Sequence, residues 1–109
     1  MYEIIGQALD SIGLENFYIS KGTYEGECAV YTYIEFPSYY ADNTKQGTEY
    51  SILVNLYVSA ENLESTKDKV IKVLNDVGLK GGRVQEPRKE KDLYNVPISF
   101  KAFKRCKND

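Results

Sequence analysis

Histidine is absent from this chain. That absence removes the side chain most used as a general base near neutral pH, and the commonest metal ligand with it. Cysteine is scarce: Cys28 and Cys106 stand far apart and match neither a zinc nor a redox spacing. Cys28 alternates with apolar neighbours and reads as a buried thiol, whereas Cys106 lies in a polar tail. A disulfide between them runs against the rarity of such bonds in reducing compartments. No apolar run approaches the roughly 20 residues that cross a bilayer. The start, Met1-Tyr2-Glu3-Ile4, lacks the basic residues and apolar stretch of a signal peptide. The expectation is a cytoplasmic protein.

Glycines in phosphate-binding order are missing too. Gly78, Gly81 and Gly82 follow a helical segment rather than open one. Acid pairs such as Glu25/Glu27 and Glu61/Glu64 are ordinary spacings in a chain with 16 acids among 109 residues, and they read as solvated surface. Cys28 has no histidine to activate it. These absences leave no catalytic residues, no metal ligands and no cofactor site to nominate. The chain is expected to be no enzyme, and to work by binding or assembling.

What is present suits one domain. A chain of 109 residues lies within the usual domain size, and its hydrophobic content of 42% supplies a core. Net charge is −2, which disfavours general affinity for nucleic acid. The charges are unevenly spread. Residues 1–66 carry ten acids and two bases, and residues 67–109 carry six acids and twelve bases. Interleaving of the two halves would average this out in space. A domain with one acidic and one basic face would instead suit head-to-tail association.

Periodicity divides the chain into elements. Tyr2, Ile5, Ala8, Leu9 and Ile12 recur at helical spacing up to Gly13, which predicts a helix from Tyr2 to about Ile12. A weak strand is expected near Phe17–Ser20. Glu27 to Phe36 alternates as a strand that Pro37 ends, with Cys28, Val30, Ile34 and Phe36 inward and Tyr31, Tyr33 and Glu35 outward. Thr48 to Val58 alternates again, with Tyr50, Ile52, Val54, Leu56 and Val58 inward. Leu53 interrupts its polar face. Ser59 is placed to cap a second helix, about Ala60 to Val77, with Leu63, Val70, Val73, Leu74 and Val77 as its apolar stripe. Asp68 and Lys72 are spaced for a helical ion pair. A short strand at Val84, a charged turn from Pro87 to Asp92 and a last strand through Tyr94, Val96, Ile98, Phe100 and Ala102 complete the order. Pro97 points to an edge or a bulge in that strand. The class is α+β, an antiparallel sheet of mixed strand lengths with two helices packed on it.

Ten tyrosines are many for this length. Tyr31, Tyr33 and Tyr57 on outward strand faces could stack on bases, as in RNA-recognition modules, but Glu27 to Tyr33 lacks the basic and glycine residues of that signature. Packing beneath a helix or at a subunit contact are the other readings of these rings. The connection Pro37–Gly47 is longer than a hairpin needs and carries Tyr39 and Tyr40.

A short first helix, a strand ending near a proline, a loop, the strand Gly-Thr-Glu-Tyr-Ser-Ile-Leu-Val-Asn-Leu-Tyr-Val-Ser, a helix and final strands follow in order along nearly the whole chain. In that order and size the sequence resembles the tail terminator, or tail-completion, proteins of long-tailed bacteriophages. The resemblance implies a ring, sixfold to match a tail tube, that stops tube polymerisation and joins the tail to the head. It implies tail-tube and head-connector proteins as partners, with no membrane and no specific nucleic acid. The location implied is the bacterial cytoplasm during assembly and then the virion tail. Carried onto this chain, the partner-binding residues would be Tyr39, Tyr40, Asp42, Asn43 and Lys45 in the loop, with Arg88, Lys89 and Lys91 in the charged turn. The alternative is a small ligand-binding regulatory domain of ferredoxin-like build.

Overall fold

The computed structural model describes residues 1–39 and 45–105. Helix α1 runs Tyr2–Ser11 and is stopped by Gly13 at a φ of 72°. Strand β1 follows at Asn16–Tyr18, then β2 at Cys28–Tyr39 and β3 at Lys45–Val58. A single 3-10 turn, Ala60–Asn62, leads into α2 at Leu63–Asp76. The chain closes with β4 at Lys80–Val84, β5 at Arg88–Glu90 and β6 at Leu93–Arg105. The strands form one sheet in the order β1-β2-β3-β6-β4, with β5 also paired to β6. Both ends of β3-α2-β4 pair with the intervening β6, so this segment is a βαβ unit split by the last strand.

Helices α1 and α2 cover one face of the sheet. Beneath them lie Ile52, Val54, Leu56 and Val58 of β3 and Val96, Ile98 and Phe100 of β6, all buried. Ile5 and Leu9 of α1 and Val70 and Leu74 of α2 close the core from above. Strict alternation in β3 and β6 put these residues on one face, as their pattern predicts.

Strand β2 behaves differently. Tyr31 pairs with Val54 and Ala29 with Leu56, and directly opposed residues share a face. Ala29, Tyr31 and Tyr33 therefore face the helices, and Ile34 and Phe36 face away, 62% and 46% exposed. This reverses the inward face expected for the strand. It also removes the base-stacking platform: Tyr31 is buried, and Tyr57 lies under the Lys21 ammonium, 4.3 Å from the ring centroid.

One pairing is parallel, β1 with β2, so the sheet is mixed rather than wholly antiparallel. Parallel neighbours need a crossover. Here residues 19–27 supply it, a non-helical strap across the face opposite the helices. Its Tyr24 meets Phe17 at a centroid separation of 5.2 Å. On that face Cys28 and Val30 are buried.

Prolines do not end the strands. Ala29 and Tyr31 direct their backbone groups outward to β1, through Ala29 N–H to Glu15 O and Ile19 N–H to Tyr31 O, both 2.9 Å. Pro37, six residues on in unbroken register, points its missing donor to the same side, beyond the end of β1. Strand β2 continues through it to Tyr39. Pro97 sits in an interior strand, not an edge, opposite Asn55. Its carbonyl accepts from Gln85 N–H at 2.9 Å, so its nitrogen faces the side on which β4 gives way to β5. Pro37 therefore costs no ladder bond; at Pro97 the bond from Gln85 is made but its reciprocal cannot form, and β4 ends one residue earlier, at Val84.

The start of the second helix is also held otherwise than expected. Ser59 makes no capping bond through its hydroxyl, which is buried without a partner. Glu27 takes over from the neighbouring strap: its carboxylate accepts Ser59 N–H at 2.8 Å and the Asn62 side-chain amide at 3.2 Å. Asp68 and Lys72 do not pair; Lys72 reaches Asp76 at 3.1 Å, and Lys67 pairs with Glu64. Val77, expected in the apolar stripe, is 43% exposed.

Candidate functional site

The longest strands outrun the helices. Ile34, Glu35, Phe36 and Pro37 are all exposed although they alternate between faces, so neither face is covered there. Strands β2, β3 and β6 thus project as a three-stranded arm from a molecule measuring 52 × 25 × 25 Å. On its helix-free face Phe36, Glu49 and Phe103 form one row across the arm, with Ile34, Ser51 and Lys101 in the next. Phe103 is 54% exposed and its ring lies over Gly47, leaving no room there for a β-carbon. Three large apolar side chains, Ile34, Phe36 and Phe103, are therefore wet on one small area.

A cleft of about 620 Å³ lies at the base of the arm, with Phe36, Glu49, Ser51, Lys80, Lys101 and Phe103 in its lining. Lys80 and Lys101 stand directly opposite one another across β4 and β6. Arg83 adds a third cation on the same face, opposite Ser99. None of the three forms an ion pair with a described residue. Like charges directly opposed on a sheet repel, so this end of the sheet is poised for negative charge.

The opposite edge has another character. Tyr2 stacks on Tyr18 at 5.3 Å, Tyr18 contacts Tyr31 and Tyr33 at 5.6 Å, and Tyr33 meets the Tyr50 ring edge-on at 5.6 Å. Burial pushes the phenols of Tyr31, Tyr33 and Tyr50 up, and nearby carboxylates add to it, Asp10 at Tyr31 and Glu35 at the other two. Helix α1 beside them carries Glu3 and Asp10 and no base. The two edges thus differ locally, with Asp10 and Glu35 beside the tyrosines and Lys80, Arg83 and Lys101 at β4.

No family model and no curated protein matches this chain.

The residues nominated from the sequence fall at two distant places. Tyr40, Asp42 and Asn43 lie outside the described residues. Tyr39 and Lys45 are not in a loop; they form the last rung of the β2–β3 ladder, which leaves only residues 40–44 between the strands. Arg88 and Lys89 belong to strand β5, not to a turn, and pair with Asn95 and Tyr94 at the other end of the sheet. Lys91 is in the β5–β6 turn with a φ of 56°, and its ammonium meets Glu25 of the strap at 3.6 Å. That contact borders a second cleft of about 470 Å³ between strap and hairpin. The structure does not bring the two groups together.

Sequence reasoning missed the surfaces described above. Ile34 and Phe36 read as core in an alternating strand, but alternation alone does not say which face is covered. Lys80, Arg83 and Lys101 come together only through the β4–β6 register. Among the described residues, no group of three or more acidic or cysteine side chains is placed to hold a metal ion, and no helix is long and apolar enough to cross a membrane. The strap buries Cys28 and pushes its thiol up through desolvation.

Proposed function

We propose that this chain is a structural subunit that assembles into a homo-oligomeric ring, and that the ring is a tail terminator of a long-tailed bacteriophage. In that role it caps the tail tube and presents a surface to the head connector, first in the bacterial cytoplasm and then in the virion. The observation that carries the reading is the arm, with Ile34, Phe36 and Phe103 exposed together on it. Large apolar side chains left exposed together on one face of a small protein mark a contact with another macromolecule. Separation of acidic and basic edges supports a head-to-tail arrangement, in which two different surfaces meet.

Light scattering across a protein concentration series tests the ring, and addition to purified tail tubes tests its role. Expected are a closed assembly at high concentration, sixfold to fit a tube, and arrest of tube growth. Rising salt should slow assembly more than it speeds dissociation, because exposed charges steer encounter more than they hold the complex. Reversing Arg88 and Lys89 should impair docking without unfolding the chain. A strict monomer at every concentration, inert toward tail tubes, sinks the reading.

A further inference from the structure

The ring reading requires two unlike surfaces, and the two edges of the sheet differ in the way that such a pair needs. We propose that the β4 edge of one copy, through Lys80, Arg83 and Lys101, seats on the tyrosine-and-carboxylate edge of the next, formed by Tyr2, Tyr18, Tyr33 and Glu35. The inference rests on the homo-oligomer above and names its contact.

Three observations carry it. The cations of the β4 edge are exposed and unpaired among the described residues, and two of them repel across the ladder. A partner surface that brings negative charge relieves that repulsion. The opposite edge supplies it, together with exposed aromatic surface: Tyr2 and Tyr18 are 47% and 41% exposed, and Glu35 is exposed beside Tyr33. Lys and Arg bind tyrosine rings face-on as well as carboxylates, and a ring partly removed from water binds them more tightly. Finally, Ile19 at the end of β1 is 63% exposed at a φ of 75°. Its neighbours close a tight turn, Ser20 N–H donating to Tyr18 O at 2.9 Å. A β-branched residue rarely adopts this backbone. Strain that presents an apolar side chain next to Tyr18 is the kind that accompanies a contact.

The geometry permits both contacts at once. The basic side chains lie on the open face at one edge, and the tyrosines lie on the helix face at the other. Copies can therefore overlap as roof tiles do, each covering the next, and a heterologous contact of this type propagates until it closes. The acidic edge of one copy meets the basic edge of another, whereas two like edges repel.

Two variants test the contact, Lys80→Glu with Lys101→Glu, and Tyr18→Ser with Glu35→Gln. The lysine pair is exposed and unpaired among the described residues, so circular dichroism and Tm should match the wild type there; in the second variant Tyr18 also gives up its ring contacts. Sedimentation velocity at a concentration where wild type assembles should find each variant monomeric, with association weakened at least tenfold. An equimolar mixture should contain a species of two chains and nothing larger, because one intact edge of each kind remains. If the Tyr18 change lowers the Tm, Glu35→Gln with Asp10→Asn takes its place. Variants that assemble like wild type, or a mixture that stays monomeric, overturn the contact while the ring reading stands. A wild type that never assembles overturns both.

Discussion

The Tyr31 hydroxyl occupies the space that a β-carbon on Gly6 would need, 2.9 Å from its ideal position. From there it donates to Tyr2 O at 3.2 Å, so a residue of β2 is tied to the first turn of α1. Glycine in a helix interior costs about 1 kcal/mol relative to alanine, and here that cost admits the phenol. Gly6→Ala should therefore destabilise the wild type. In a Tyr31→Phe background, with the hydroxyl gone, the same change should stabilise by up to about 1 kcal/mol. Urea denaturation of the four proteins of this cycle measures the coupling. Equal effects in both backgrounds would mean that helix and strand are not in this contact.

Glu27 makes stability depend on pH. Its carboxylate is held below its ordinary value, first by Ser59 N–H and then by the Asn62 amide, against the opposing effect of burial. A carboxyl lowered in the folded state stabilises fully above its unfolded value of about 4.3 and loses that contribution as pH falls through the folded value. The wild type should thus lose stability below about pH 4.5 more steeply than Glu27→Gln. Thermal melts from pH 7 to pH 3 measure the difference. Parallel curves would leave the 3-10 turn without its cap.

The exposed strain at Ile19 is removable. Ile19→Gly should raise stability by about 1 kcal/mol, since a sparsely populated positive-φ backbone costs a non-glycine residue of order 1–3 kcal/mol and glycine's added unfolded-state entropy takes part of that back. For a domain of this size the corresponding gain in Tm is about 4–8 °C. Assembly should weaken in the same variant, because an apolar contact is deleted. A lower Tm would show that Ile19 is held by packing.

Two residues of α2 separate core from surface. Leu74 is fully buried, and Val77 is 43% exposed. Leu74→Asp should prevent folding, because an unpaired buried charge costs several kcal/mol against a total of about 5–15. Val54→Asp on β3 should do the same. Val77→Asn should change stability by no more than about 0.5 kcal/mol. Soluble expression and calorimetry distinguish these outcomes.

Much of this fold was legible in the chain. The 3.6-residue stripe of α1, its stop at Gly13 and the alternation of β3 and β6 each follow from local geometry, because one face of each element is apolar and the other is not. Missing histidine, separated cysteines and uneven charge are likewise properties of sequence alone. Tertiary structure decided the rest. Both faces of β2 carry apolar or aromatic side chains, so periodicity could not choose between them; the choice came from the pairing of Tyr31 with Val54, which put the tyrosines under α1 and left Ile34 and Phe36 wet. Strand β1 falls where a weak strand is expected, but its parallel pairing was not legible and exists because Glu15 and Ile19 lie beside β2. Lys80 and Lys101 are neighbours only because β6 returns between β3 and β4. Local pattern sets which residues can be buried, whereas strand order and register set which side chains meet, and in this protein the candidate surfaces depend on the second.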